Sequence, residues 1–471
     1  MHGFGVGIRR TTNVLVFAAA VACVEAWSAP ALRHSCLSRI AASAANAVPA
    51  ARHRPSVLVI GGTGKIGSAV ASHLLFATSS TEETGLRVVL AGRSASKGRA
   101  AIEELEKAAG GAEALAARGQ FLSFQQLDYT DSNALERLLT ESGDSEGMSG
   151  FDACVHTAGP FFDGPSVLRS CIKAKTKVYV DVADPVPYLT EALESSAAAE
   201  DAGTLALVAG GAFPGLSNLL GMEAASQLEE SDSVRDLEFN YFTAGLGGSG
   251  DVNLYITNVG FGEPVYEFKD GRERQRLIAG KESRPVDFGD EVGLVNCWAW
   301  PFPEGLTVGR QLQIKGDSRV AMGTAPEIWN VIMGAMVSVV PRQWWLSPAF
   351  SQGLASFSQP MVKLTDSFVG ETHAIRVDVC GDSGRRIRAL QTHESFRVCV
   401  GQSCAEFTLA LLAMQRTVDS LPGFQHAGRL AGVYLPEQLF QDPGRRAGML
   451  SRLTATPGTM TYSVCELDET S

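Results

Sequence analysis

The sequence contains little that would support a metal centre or a disulfide framework. Its nine cysteines are scattered along 471 residues, and no two of them form a C-x-x-C pair. Cys399 and Cys404 are the closest pair, and two small buried hydrophobic side chains explain them better than a redox pair does. This pattern argues against a zinc site and a disulfide-stapled fold and favours reduced thiols, so we expect no metal site.

The N-terminal region lacks an apolar run of the about 20 residues that span a bilayer. Residues 14–24 form an 11-residue apolar run after two arginines, which is typical of a signal peptide ending at residue 26. Residues 27–54 contain no acidic residue and are rich in Ala, Ser and Arg, as in a transit peptide. Together they resemble the bipartite presequence of complex plastids, which predicts location in the plastid (chloroplast) stroma. Secretion is the alternative.

The rest of the chain has a shortage of positive charge. Residues 1–54 hold six arginines and one acid, so 34 basic and 50 acidic residues remain, a formal charge of −16. Such a surface repels nucleic acid and anionic lipid. We therefore expect no nucleic-acid partner.

Short apolar runs alternate with amphipathic segments over residues 56–213. The runs read SVLVIGG, RVVLAGR, FLSFQQLD, DACVHTAG, KVYVDVAD and TLALVAGG. This rhythm predicts an α/β fold with a Rossmann-type, doubly wound parallel sheet covered by helices on both faces. Residues 55–215 are assigned to this domain.

Beyond residue 213 the pattern changes to period two, with turns at Asp270-Gly271 and at residues 381–384. It predicts a second α/β domain with a mixed or antiparallel sheet over residues 216–395. A helical period returns afterwards, so residues 396–440 are predicted to pack back on the first domain through a C-terminal helix. Residues 441–471 are interpreted as a polar tail.

Gly62, Gly64 and Gly67 form G-x-G-x-x-G between a predicted strand and a predicted helix. In this context Gly62 would allow a tight turn, Gly64 a close approach to a pyrophosphate, and Gly67 close packing of helix on strand. The pyrophosphate would meet the helix N-terminus. The loop residues Thr63, Lys65 and Ile66 are part of the same predicted site.

The second strand lacks the terminal carboxylate that usually binds a free ribose 2′-hydroxyl. Its end reads Gly92, Arg93, Ser94, with Lys97 close behind, and a guanidinium suits a 2′-phosphate. NADP(H) is therefore expected in preference to NAD(H), although the two cations could also be solvated charges. The remaining predicted cofactor contacts are Asp128, Thr157, Ala158, Gly159 and Pro160.

The Tyr-x-x-x-Lys pair of short-chain reductases is also missing. None of the eight tyrosines has a lysine four residues later. The acid–base chemistry of that family is therefore excluded.

Four segments resemble the saccharopine dehydrogenase-like oxidoreductase family, particularly its plastid and cyanobacterial members. They are GGTGKIGSAVASHL, AGRSASKGRA, HTAGPFFDGPSVLRSCIKAKTKVYVDVADP and GGAFPGLSNLLGMEAA. The resemblance covers residues 55–225 well and 395–440 weakly. It implies a Rossmann domain with an inserted second domain that shapes the substrate site and often the dimer contact. It does not carry over a substrate, because no matching basic residues appear in the inserted domain.

Candidates for chemistry lie where the strands end. His156 and Asp181 are the catalytic candidates, and Phe161, Asp184 and Asn218 are the substrate candidates. Each has a plainer alternative, since a histidine in an apolar strand is often a core residue and Asp181 could bond the next loop. In the second domain five cationic or titratable residues could anchor a carboxylate: Arg310, Arg319, Arg376, His373 and His393.

We thus expect an NADP-dependent oxidoreductase that transfers hydride to or from a C=N, C=C or C=O bond of a small or lipid-like substrate. The alternative is a non-catalytic NADP-binding regulatory or assembly protein of the plastid. A homodimer is one expected assembly, and Trp344 and Trp345 suggest a weak membrane-surface contact.

Overall fold

The computed structural model describes residues 54–77, 85–141, 150–245, 251–419 and 430–467. Residues 54–471 form one compact unit, and both large sheets lie within it. The predicted signal peptide and all but the last residue of the predicted transit peptide lie outside the described residues.

The first half of this unit alternates strands and helices, as the sequence predicts. In chain order its elements are β1 (Ser56–Ile60), α1 (Lys65–Ala77), β2 (Arg87–Gly92), α2 (Ala95–Ala109), α3 (Ala112–Ala117), β3 (Phe121–Gln126), α4 (Ser132–Glu141), β4 (Ala153–His156), α5 (Ser166–Lys173), β5 (Val178–Asp181), α6 (Val186–Leu193), α7 (Ser196–Ala202), β6 (Leu205–Leu207) and α8 (Leu216–Ser226). In β1, Val57 and Val59 pack into one hydrophobic core and Leu58 and Ile60 into another. Both faces of the strand are therefore buried, which is why it reads as a continuous apolar run.

The middle of the chain is mostly strands and long helices. Its elements are β7 (Val234–Ala244), α9 (Asp251–Gly260), β8 (Val265–Lys269), β9 (Arg272–Arg276), β10 (Arg284–Asp287), β11 (Leu294–Ala299), α10 (Glu304–Leu312), β12 (Ser318–Ala325), α11 (Glu327–Val339), α12 (Arg342–Trp345), α13 (Pro348–Val369), β13 (Thr372–Gly381) and β14 (Arg386–His393). The two predicted turns are confirmed, because Asp270-Gly271 joins the antiparallel pair β8–β9 and residues 382–385 join β13–β14.

The chain ends with α14 (Phe396–Asp419), β15 (Gly432–Tyr434), α15 (Pro436–Leu439), α16 (Pro443–Thr454) and β16 (Thr459–Leu467). One sheet is fully parallel, in the order β15-β6-β5-β4-β1-β2-β3. The other has the order β10-β11-β12-β7-β13-β14-β16, and only β12 and β7 are parallel in it. The Rossmann-like sheet and the second mixed sheet confirm the predicted fold class.

The interpretation of residues 441–471 as a polar tail is wrong. Helix α16 buries Met449, Leu450 and Leu453 in the core, and β16 pairs along β14 as an edge strand of the mixed sheet. An edge strand is partly exposed on both faces, so its composition reads as polar although its backbone is paired.

Helix α14 returns to the parallel sheet and packs against α1. The two helices approach so closely that a Cβ at Gly401 would lie 2.5 Å from the Cβ of Ala69. Within the described ranges, α14 is also the one helix long and apolar enough to cross a bilayer, over Phe396–Arg416. Since 78% of its most apolar window is buried inside the structure, it has the burial of a core helix.

Candidate functional site

The loop between β1 and α1 is shaped by glycines that approach backbone atoms closely. Gly61 has a positive φ of 81°, and a Cβ at Gly67 would lie 2.3 Å from the carbonyl oxygen of Gly61. Helix α1 therefore packs directly on the loop, as predicted for Gly67. The left-handed turn residue is Gly61. At Gly62 a Cβ would lie 2.9 Å from the backbone carbonyl oxygen of Val59, which disfavours any side chain there.

This loop borders a cleft of about 660 Å³ at the carboxyl ends of the parallel strands. The first N–H groups of α1 have no intrahelical acceptor, and Lys65, Ile66 and Gly67 line the cleft. An anionic group would be favoured at this helix end. The other predicted residues that line the cleft are Thr63, Gly64, Arg93, Lys97, Asp128, Thr157, Ala158, Gly159, Pro160, Phe161 and Asp184.

A cationic corner lies where β2 meets α2. Ser94 caps α2 by accepting a hydrogen bond from the Lys97 backbone N–H, and its hydroxyl lies 3.0 Å from that of Ser96. The exposed side chains of Arg93 and Lys97 flank the same helix end and make no ion pair with any described residue. Two cations beside a positive helix end repel each other, and a bound anion would relieve that repulsion.

Two carboxyl groups face the cleft beyond this corner. Asp184 follows β5, and Glu263 follows α9 in the second domain; both are half-buried. Burial, followed by repulsion from Glu263, raises the pKa of Asp184 to about 7. Burial also raises the pKa of Glu263. A carboxyl that titrates near neutral pH can hold or release a proton where the substrate would lie.

Apolar side chains, all but Phe213 from the second domain, form what we call the apolar wall of the cleft. Phe302 and Tyr241 both pack against Phe213, with ring centroids 5.2 and 4.4 Å away. The cleft-lining members of this wall are Phe213, Tyr255, Ile256, Trp300, Phe302 and Met322. Sequence reasoning missed them, because short apolar segments of a strand or helix carry no mark of facing a cleft.

The two catalytic candidates lie behind the cleft wall. Neither His156 nor Asp181 is among the described residues that line the cleft. His156 packs edge-on between Tyr129 and Phe161, and burial lowers its pKa to about 3. It is neutral near pH 7 and has the surroundings of a core histidine.

Asp181 is fully buried and accepts four hydrogen bonds. Its donors are the hydroxyls of Tyr179 and Tyr188 at 3.0 and 2.8 Å and the backbone N–H groups of Ala183 and Ala209 at 3.1 and 2.9 Å. Burial raises its pKa to about 6, although these four hydrogen bonds oppose the shift. The geometry is that of a structural carboxylate that joins β5 to the loop after β6.

An Asp181→Ala variant should lose at least about 3 kcal/mol of unfolding free energy, because four buried donors lose their acceptor. Urea unfolding followed by circular dichroism measures the change. Asp184→Ala is the matched control and should be far less destabilising, since Asp184 borders the cleft. Equal stability of the two variants would contradict a structural role for Asp181.

Asn218 is also outside the cleft. Its side chain caps α8 by accepting from the Gly215 N–H and donates to Glu437, 219 residues further along the chain. The neighbouring Ser217 donates to buried Glu304, which also accepts from Tyr241 at 2.6 Å. Burial raises the pKa of Glu304 to about 7. This polar network joins α8, α10 and α15. Its member Tyr241 also packs against Phe213 of the apolar wall.

The five second-domain candidates for binding a carboxylate do not line the cleft. Arg310 pairs with Glu273, Arg376 pairs with Asp378, and Arg319 donates to the carbonyl oxygen of Glu282. Both histidines are buried. Among the described residues, the cations of the cleft are Lys65, Arg93 and Lys97, all in the first domain.

Comparison with known proteins identifies the first domain. Residues 57–207 match the family model of the saccharopine dehydrogenase NADP binding domain. Apo, histidine-tagged saccharopine dehydrogenase (L-Glu forming) from Saccharomyces cerevisiae is similar in structure, with a TM-score of 0.56 and 14% sequence identity over 88% of this chain and 100% of that chain. This likeness shows a shared fold.

A weaker structural match is GenD2 from gentamicin A biosynthesis in complex with NAD. It has a TM-score of 0.34 and 13% identity over 89% of this chain and 99% of that chain. No curated protein matches the sequence significantly. The family match over residues 57–207 shows that the first domain is a nicotinamide-dinucleotide-binding domain, as the sequence resemblance implied.

Proposed function

We propose that this chain, whose residues 57–207 belong to the saccharopine dehydrogenase family of NADP-binding domains, is an NADP-dependent oxidoreductase. It would transfer hydride to or from a C=N, C=C or C=O bond. One observation carries the proposal: the glycine loop, the cationic corner and the carboxyl of Asp184 line a single cleft. Dinucleotide and substrate therefore have room side by side.

The residues present fit the dinucleotide. The N-terminus of α1 suits its pyrophosphate, and Arg93 and Lys97 suit a 2′-phosphate. Ser94 does not line the cleft and caps α2 beside them. When bound, the nicotinamide ring supplies or accepts the hydride. The side chain of Asp184 would hold the accompanying proton, and the apolar wall would exclude water.

The charges of the cleft restrict the substrate. Cations lie only at the nucleotide end of the described cleft, whereas Asp184 and Glu263 face the apolar wall. A substrate with several carboxylates would meet repulsion and no counter-ion there. The arrangement favours a neutral substrate or one that becomes cationic, such as an imine.

Arg93→Ala should weaken NADPH binding about 10- to 100-fold while leaving NADH binding almost unchanged. A charge-assisted hydrogen bond of about 1.5–3 kcal/mol to the 2′-phosphate would be lost, and NADH has no such phosphate. Fluorescence titration of residues 54–471 with each nucleotide measures the effect.

Arg99→Ala is the matched control, because Arg99 is exposed on the same helix but does not line the cleft. It should bind NADPH like the parent chain. Absence of binding of either nucleotide to the parent chain would refute the oxidoreductase proposal. Equal loss with NADPH and NADH would refute the assignment of Arg93 to a 2′-phosphate.

A further inference from the structure

Two helices of the second domain expose large apolar side chains along one stripe each. Val339, Phe357 and Phe368 are exposed to 79, 73 and 83%. We call the whole set the apolar face. Its members are Ile328, Val331, Ile332 and Val339 on α11, and Phe357, Met361, Leu364 and Phe368 on α13.

The spacing places each set on one side of its helix. Residues 328, 331, 332 and 339, and likewise 357, 361, 364 and 368, follow the three- and four-residue steps of one helical face. The Trp329 indole donates to the Thr365 hydroxyl at 3.1 Å, which joins the two helices. Ile332 lies one turn from Trp329, and Met361 and Phe368 lie one turn from Thr365, so each stripe passes beside this hydrogen bond.

The opposite sides of both helices are anchored in the domain. On α11, Asn330 donates to the Thr324 carbonyl oxygen, and Val337 is buried. On α13, Ser351 and Ala355 are buried, and the Ser351 carbonyl accepts from Asn258 of α9. The apolar face therefore projects from a fixed support.

Charge distinguishes this region from the rest of the chain. Residues 327–369 contain two acids and two bases, Glu327, Asp366, Arg342 and Lys363, so the segment is neutral, whereas the whole chain carries −11. A neutral apolar surface on an acidic protein favours contact with uncharged apolar groups. The negatively charged rest of the protein surface would be repelled by anionic lipid.

Helix α13 contributes both to the apolar face and to the cleft lining. Helix α13 carries Phe357 on the exposed side and Gln352 in the cleft lining. Helix α9, which packs on α13, contributes Tyr255 and Ile256 to the apolar wall. A molecule that leaves a lipid layer under α11 and α13 would thus arrive beside the cleft.

We propose that the apolar face docks on an uncharged lipid surface and that the cleft accepts a lipophilic substrate from that surface. The docking stands on the exposed side chains alone, and the substrate class rests on the proposed function. This assigns the membrane contact to α11 and α13. Of the two tryptophans that suggested such a contact, Trp345 is buried, whereas Trp344 is 53% exposed.

Flotation of residues 54–471 with phosphatidylcholine vesicles tests the docking. The parent chain should float, and a Phe357→Gln/Phe368→Gln double variant should bind at least about 10-fold more weakly, because two aromatic side chains lose their apolar burial. A Leu277→Gln/Leu294→Gln variant, with two exposed leucines outside the apolar face, should float like the parent chain. High salt and added anionic lipid should not strengthen binding.

Three results would overturn the proposal: a parent chain that does not float, flotation that requires anionic lipid, or equal loss in both double variants. Light scattering gives a fourth such result. A parent dimer that the Phe357→Gln/Phe368→Gln changes dissociate would show that the apolar face is an interface between two copies of the chain. NADPH titration of every variant separates this test from the proposed function, because nucleotide binding should be unchanged throughout.

Discussion

An Asp184→Asn variant is expected to bind NADPH like the parent chain and to lose about 10²- to 10⁴-fold in turnover, the range typical of a general acid. The amide keeps the size of the side chain but has no acidic proton to transfer. NADPH oxidation in the presence of imines, enones and aldehydes measures turnover, and fluorescence measures binding. Unchanged turnover in the variant would remove Asp184 from the chemistry.

The pH dependence of turnover shows whether Asp184 acts as a proton donor. The pKa of Asp184 is raised to about 7, so the group is protonated below this pH and ionised above it. Reduction that uses its proton should therefore slow as pH rises through about 7, and Asp184→Asn should remove this slope. A parent chain that reduces none of the compounds yet binds NADPH would favour the non-catalytic alternative.

Glu263→Gln is the matched variant for this test. Repulsion from the Glu263 carboxylate is the second cause of the raised pKa of Asp184, after burial. Removing that charge should shift the fall in turnover to lower pH while leaving NADPH binding intact. An unshifted profile would show that the two carboxyls do not interact.

A Gly67→Ala variant is expected to destabilise the first domain by at least about 3 kcal/mol and to weaken NADPH binding at least about 10-fold. The added Cβ would lie 2.3 Å from the Gly61 carbonyl oxygen and 2.8 Å from Gly62 Cα. Helix α1 must then move away from the loop, and its N-terminus moves with it. Thermal unfolding and nucleotide titration measure the two effects.

Gly334→Ala is the control for the same change within a helix. No described atom lies within 4 Å of the position of its Cβ, and alanine is the better helix former. It should leave stability unchanged or raise it by up to about 1 kcal/mol. Similar behaviour of the two variants would contradict the close packing of α1 on the glycine loop.

Several features were readable from local sequence because their physical cause is local. Buried parallel strands need continuous apolar runs such as SVLVI, and the close approach of α1 to the loop excludes any side chain at Gly67. The same stretch carried the family resemblance, which the match over residues 57–207 confirms. The turns of the β8–β9 and β13–β14 hairpins were equally local.

Contacts between distant segments were decided only by the tertiary structure. Asp184 and Glu263 are 79 residues apart in the chain, and Asn218 and Glu437 are 219 apart. Nothing near Glu263 indicates that it faces a cleft, and nothing near Asn218 indicates that a distant carboxylate holds it. For the same reason His156 and Asp181 looked like candidates, although the fold buries both behind the cleft wall.

By itself, the sequence determined the parallel sheet, its glycine loop and the dinucleotide class, because each depends on a few consecutive residues and their backbone geometry. The tertiary structure decided which carboxyl groups face the cleft and which apolar residues form the apolar wall. It also decided which apolar side chains stay exposed on α11 and α13. It also turned a segment of polar composition into the edge strand β16. These outcomes depend on burial, and burial is a property of the packed chain rather than of any one segment.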